Sequence, residues 1–154
     1  MIPLLTHQQW MRQALVLAEE AGAAGETPVG ALLVEGDRII GIGGNSRSAT
    51  QSPLEHAEIL ALRRAARRQG DWRFPGATMY VTLEPCSMCT GALLQARVSK
   101  IVFGAYNTET GCCQSLLNLA DLPGGRNRVE VIGGVLETEC LRKLKSFYSL
   151  LREQ

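Results

Sequence analysis

The sequence predicts a three-layer α/β/α sandwich around a mixed five-stranded sheet. Three observations carry that prediction: a hairpin of two apolar strands near the N-terminus, a strand–helix–strand unit between residues 77 and 104, and amphipathic helical stretches around them. With 154 residues, 45% of them apolar, the chain has the mass for one core, and a single domain over residues 1–154 is expected.

Thr6 is an N-cap for a helix whose apolar stripe takes in Trp10, Met11, Ala14, Leu15 and Ala18 and runs out at Gly22 to Gly25. Pro28 bars helix continuation, and Val29 to Val34 and Arg38 to Ile42 read as two strands joined by the Glu35-Gly36-Asp37 turn. Gly43 to Pro53 has the composition of a loop; Leu54 to Gln69 then repeats apolar residues at helical spacing and stops at Gly70. Met79, Tyr80, Val81 and Thr82 mark Ala77 to Leu83 as a strand, ended by Pro85, and a helix runs from there to about Arg97. A strand at Lys100 to Gly104 follows, so the connection is a right-handed crossover between parallel neighbours. Ala105 to Asn127 reads as loop with a short helix at Leu116 to Leu119. Val129 to Gly133 is a weaker last strand, and Leu136 to Leu151 an amphipathic closing helix.

Composition narrows the function. A formal net charge of +1 lacks the strong basic excess common in nucleic-acid binders, so contact with a polyanion would need a local patch. Arg63, Arg64, Arg67 and Arg68 cluster on one side of their helix, either as such a patch or as a solvated face, and Arg142, Lys143 and Lys145 carry the same two readings. The opening Met1-Ile2-Pro3-Leu4-Leu5 is too short for an export signal and runs at once into polar residues, and no stretch is apolar enough to span a membrane. A cytoplasmic protein is expected. Five cysteines, at 86, 89, 112, 113 and 140, are an odd set in a reducing compartment, where metal or free thiol is the better reading than disulfide.

His56-Ala57-Glu58 and Pro85-Cys86-Ser87-Met88-Cys89 concentrate the chemistry. His56, Cys86 and Cys89 make three zinc ligands, the number at which a catalytic site stops so that water can hold the fourth position. Glu58 is left over, as a carboxylate that moves protons to and from that water. Cysteines three apart at a helix start share one side of the first turn; His56 and Glu58, two apart, can cooperate only where a helix begins. A redox Cys-x-x-Cys pair would need no His-x-Glu partner. A closed zinc knot would want a second spaced pair, which Cys112-Cys113 and the solitary Cys140, a small buried apolar residue, do not supply.

These motifs resemble those of the zinc nucleoside and nucleobase deaminases. The likeness to the bacterial tRNA-specific adenosine deaminases runs from Trp10-Met11 through Thr27-Pro28-Val29-Gly30-Ala31, Gly44-Asn45, His56 to Leu62 and Thr82-Leu83-Glu84-Pro85 to Val102-Phe103-Gly104-Ala105 and Thr110-Gly111. It implies the cytidine deaminase-like fold, one zinc per subunit, a homodimer, a tRNA anticodon stem-loop as partner, and conversion of the wobble adenosine to inosine. It further implies Glu58 as the catalytic proton carrier and Asn45 as the hydrogen-bonding partner of the purine. Backbone groups near Leu83 and Glu84 would complete the polar lining, with Glu84 holding the strand-to-helix turn. Val29 and Phe147 would wall a flipped base, unless they are plain core.

The pattern also departs from that family. Its members typically carry Arg-Asp after Phe-Gly-Ala, with the acid near the target ribose; this chain has Tyr106-Asn107, so Asn107 offers hydrogen bonds without a charge. Glu55 adds an acid directly before His56, and Cys112-Cys113 replaces small residues. Deamination of a free base or nucleoside, such as guanine or cytosine, therefore stands as the alternative substrate class. A non-catalytic zinc-stabilised binding module is the reading from outside enzymology.

Overall fold

The computed structural model describes residues 5–122, 125 and 128–154. The lead-in Met1 to Leu4 and part of the predicted loop before Asn127 lie outside them. Helix α1 (His7–Ala23) opens on a reciprocal cap: the Gln9 N–H donates to Thr6 Oγ1 at 3.2 Å and the Thr6 N–H to Gln9 Oε1 at 2.8 Å. Its Trp10, Met11, Ala14, Ala18 and Ala21 are buried.

Strands β1 (Gly30–Glu35) and β2 (Arg38–Gly44) form the antiparallel hairpin, and β3 (Ala77–Leu83) pairs antiparallel with β1. β4 (Lys100–Ala105) and β5 (Glu130–Ile132) extend the sheet in parallel, giving the order β2-β1-β3-β4-β5. The sheet is mixed and five-stranded, as the sequence predicts. Helix α1 and α5 (Glu137–Arg152) pack on one face, while α3 (Ala57–Gln69) and α4 (Ser87–Gln95) lie together on the other. Among the described residues no helix is long and apolar enough to cross a membrane.

Beyond shifts of one or two residues at strand ends and in the last helix, four differences from the sequence expectation matter. Helix α3 begins at Ala57, three residues after Leu54, because residues 53–54 form a turn and His56 is extended (φ −77°, ψ 155°) as the N-cap. The predicted loop after β2 contains α2 (Arg47–Thr50), held by the buried Glu26 carboxylate, which accepts from the Ser48 and Ala49 N–H groups at 3.2 and 2.9 Å. Helix α4 ends at Gln95, and Arg97 turns away with φ 61°. The short helix is a 3₁₀ turn at Leu119–Asp121, since the residues before it wrap around Glu84.

The seating of α3 on the sheet depends on glycine. A Cβ at Gly43 would run into the Ala57 carbonyl oxygen in the first turn of α3, beside His56 and Glu58. Overpacking of this kind costs about 1–3 kcal/mol. Gly43→Ala should therefore lower the melting temperature by roughly 2–12 °C in a thermal unfolding scan, and an unchanged melt would mean that α3 is free to move off the sheet.

Candidate active site

Two helix N-termini converge on the site. His56 is the N-cap of α3 and Cys86, also extended (φ −74°, ψ 179°), is the N-cap of α4; Glu58 and Cys89 stand in the respective first turns. The unpaired N–H groups and positive ends of both helices face a position where thiolate charge is favoured. His56 Nδ1 lies 3.7 Å from Cys86 Sγ and 3.5 Å from Cys89 Sγ. Among the described residues these three form one group able to hold a metal ion, with ligand atoms all within 4.8 Å of one another. Tetrahedral zinc, with bonds of about 2.3 Å to sulfur and about 2.0–2.1 Å to nitrogen, requires N···S separations of about 3.6 Å. The donor set and its spacing fit.

Protonation follows the crowding. The hydrogen bond with Cys89 pulls Cys86 down to about 4, helped by His56 against the opposing cost of burial. The same hydrogen bond, with burial, pushes Cys89 up. His56 is raised, chiefly by its hydrogen bond to Cys86. Glu58, 4% exposed, is raised above the ordinary carboxylate range, first by burial and then by the neighbouring Cys86 charge.

A cavity of about 410 Å³ opens over this group. That is within the range of about 300–1,000 Å³ for small-molecule sites, so one nucleoside could enter while the rest of a polynucleotide stayed outside. Thr27, Val29, Asn45 and Arg47 line one part, Leu83, Glu84 and residues 106–110 another, and Leu144 and Tyr148 of α5 contribute as well. Asn45 is buried; its Nδ2 donates to the Thr27 carbonyl at a long 3.5 Å, and its Oδ1 has no protein partner. An orphaned buried acceptor costs about 1–3 kcal/mol, a cost that a ligand donor at this spot would remove.

The structure brings together Asn45, Val29, Leu83, Glu84 and Asn107 with His56, Glu58 and Cys86 around this cavity. Phe147 is not among the residues around the cavity; it meets Tyr148 edge-on at 5.6 Å and 71°. The buried Cys140 and Leu144, four residues apart, set the inward row of α5, and Tyr148 continues that row. Two further expectations change. The Glu84 N–H is used on the Ala105 carbonyl at 2.8 Å and is not free for a ligand. Asn107 spends its side chain on its own turn, donating to Thr110 Oγ1 at 2.7 Å and accepting from the Glu109 and Thr110 N–H groups at 3.2 and 3.1 Å.

Four of the remaining singled-out residues, Arg63, Arg64, Cys113 and Cys140, are held by partners or by burial. Arg63 pairs with the buried Glu55 at 2.7 Å, and Arg64 donates to the Ile42 carbonyl at 3.0 Å, so half of the arginine cluster ties α3 to its surroundings. Cys113 and Cys140 are buried and each pushed up to about 12, chiefly by burial, so both stay as thiols. Sequence reasoning missed Thr27, Arg47, Leu144 and Tyr148. The i, i+4 spacing of Leu144 and Tyr148 was the available signal for two of them.

Fold and site together have the makings of a hydrolase: a mixed sheet presents a His-Cys-Cys group able to hold a metal ion and a buried acid beneath one cavity, and likeness to known proteins gives the class as deaminase. Residues 5–143 match the model of the MafB19-like deaminase family. The chain is 43% identical, over 94% of its length and 90% of the relative's, to the tRNA-specific adenosine deaminase of Bacillus subtilis. A solved structure from a study of A-to-I editing by tRNA:A34 deaminases at the wobble position of transfer RNA superposes with a TM-score of 0.84 at 37% identity, covering 87% of this chain and 97% of that one. Guanine deaminase from Bacillus subtilis superposes with a TM-score of 0.66 at 33% identity, covering 68% of each chain. The chain belongs to the MafB19-like deaminase family.

Proposed function

We propose that the protein is a zinc-dependent deaminase that hydrolyses the wobble adenosine of a tRNA anticodon to inosine, releasing ammonia, as a cytoplasmic homodimer with one zinc per subunit. The near full-length likeness to the Bacillus subtilis tRNA-specific adenosine deaminase carries the choice of substrate. His56, Cys86 and Cys89 would hold the ion. Bound there, zinc supplies Lewis-acid activation of the attacking water at neutral pH.

The chain's own residues do the rest. The Glu58 carboxylate takes a proton from water as the water oxygen bonds to purine C6 and passes it to N1. It then carries the remaining proton of the added hydroxyl to the exocyclic amine, so that the C6–N bond breaks, ammonia leaves and the C6 oxygen becomes the carbonyl of inosine. Asn45 meets the purine with the carboxamide that the fold leaves short of partners. Val29, Leu144 and Tyr148 supply apolar wall against a base whose extraction from its stack costs a few kcal/mol. Arg47 at the cavity is a cation for the flanking backbone phosphate.

The test is incubation with an anticodon stem-loop carrying a wobble adenosine, alongside free guanine and cytosine, scoring inosine and ammonia. Inosine should form from the stem-loop, and log(kcat/KM) should fall with log[salt] by about 0.7 per phosphate contacted. Ammonia from a free base with no inosine from the stem-loop would overturn the tRNA reading in favour of the free-base activity borne by the guanine deaminase relative.

A further inference from the structure

The cavity wall formed by residues 106–110 belongs to a loop that closes around one buried acid. Glu84, 2% exposed, lies in the turn between β3 and the metal-ligand helix α4. Its Oε2 accepts three successive N–H groups, from Cys113, Gln114 and Ser115, at 3.1, 2.8 and 2.9 Å. Oε1 accepts the Asn107 N–H at 3.1 Å and the Ser115 hydroxyl. Three consecutive amides aimed at one oxygen form an anion-binding nest, here filled by a carboxylate of the same chain. Gly111 makes room for it, since any Cβ there would collide with the carboxylate and with the Asn107 carbonyl. The Cys112 N–H meanwhile donates to the Pro85 carbonyl at 2.9 Å, so the nest is anchored next to Cys86.

We propose that Glu84 is a positioning residue for the substrate wall: its carboxylate folds residues 107–115 into a nest and thereby fixes the Tyr106–Thr110 segment against the cavity. This makes Glu84 neither a ligand of the purine nor a member of the proton path. All five hydrogen bonds of its carboxylate go to the loop, and of the other buried acids near the metal-binding group Glu55 is paired with Arg63, which leaves Glu58 at the cavity for proton transfer. The reason for an acid is capacity. A carboxylate accepts at both oxygens, whereas a glutamine offers one acceptor and turns an NH₂ toward groups that are already donors. The inference rests on the deaminase reading for its kinetic consequence and on geometry alone for its structural one.

The experiment measures both on Glu84→Gln. Without substrate, amide hydrogen exchange at residues 113–115 should accelerate at least tenfold, while zinc content after loading stays at one per subunit. With the stem-loop, KM should rise by roughly tenfold, the scale of losing charge-assisted buried hydrogen bonds, and kcat should fall less than threefold. Gly111→Ala should reproduce the pattern, and the two changes together should be far from additive because both act through one carboxylate. If Glu84→Gln fails to fold, Ser115→Ala, which deletes only the hydroxyl donor, should still raise exchange at 113–115 and KM in the same direction. Unchanged exchange overturns the proposal, as does loss of kcat with KM intact. Should the wild type leave the stem-loop untouched, exchange still decides the role of Glu84 while the substrate assignment falls separately.

Discussion

Glu58→Gln is expected to lower kcat by about 10²–10⁴-fold, the contribution of a positioned general acid–base group, with zinc still bound at one per subunit. The substitution keeps the size of the side chain and removes its capacity to accept and return a proton. Stability should move the other way. Burial raises the Glu58 pKa above its unfolded value, so the folded state disfavours the charged form, and above the unfolded pKa ionisation costs stability. A neutral glutamine escapes that cost, so with both proteins stripped of metal Glu58→Gln should melt at or above the wild-type temperature at pH 7. Single-turnover kinetics with metal analysis and a thermal scan check all three statements. A kcat within threefold of wild type with normal zinc content would remove Glu58 from the proton path.

How much of this was legible in the sequence depends on the range over which each feature is encoded. His-x-Glu and Pro-Cys-x-x-Cys are each read within one turn. N-cap geometry at His56 and Cys86 turns that local spacing into a three-dimensional triad without further information. The hairpin and the β3–α4–β4 crossover are likewise local patterns and account for the β2-β1 and β3-β4 adjacencies, whereas the β1–β3 pairing and the place of β5 are tertiary. Cavity walls are different, because they depend on how elements far apart in sequence rotate against each other. Helix α5 offers Phe147 and Tyr148 side by side, and only the burial of Cys140 and Leu144 decides that Tyr148 faces the cavity. Asn107 reads as a free hydrogen-bonding side chain until its loop is seen closing on Thr110. Glu26 reads as an ordinary acid, and Glu84 as a holder of the strand-to-helix turn only through the resemblance, since the amides they hold lie more than twenty residues away.

Stripping the metal should abolish turnover while leaving the fold in place. The core beneath the site is built from apolar residues of five strands and four helices and does not depend on the triad for its mass. Both cysteine sulfurs lie within hydrogen-bonding reach of His56 Nδ1, so the three ligands have one another as partners once the ion is removed. Chelation should therefore give an inactive, still cooperative domain. Ion binding at about 1,000-fold above its dissociation constant is worth about 4 kcal/mol, which corresponds to a drop of roughly 8–16 °C in melting temperature on removal. Stoichiometric zinc should restore activity to the chelated wild type. Cys89→Ala, which loses a buried sulfur ligand, should remain inactive under the same addition. Because the ligands bind the ion only when deprotonated, the zinc concentration needed for half-recovery should climb as pH falls below neutrality. Metal-free protein, verified by native mass spectrometry, that turned over substrate at even a tenth of the wild-type rate would exclude the triad from the chemistry and sink this account of the site.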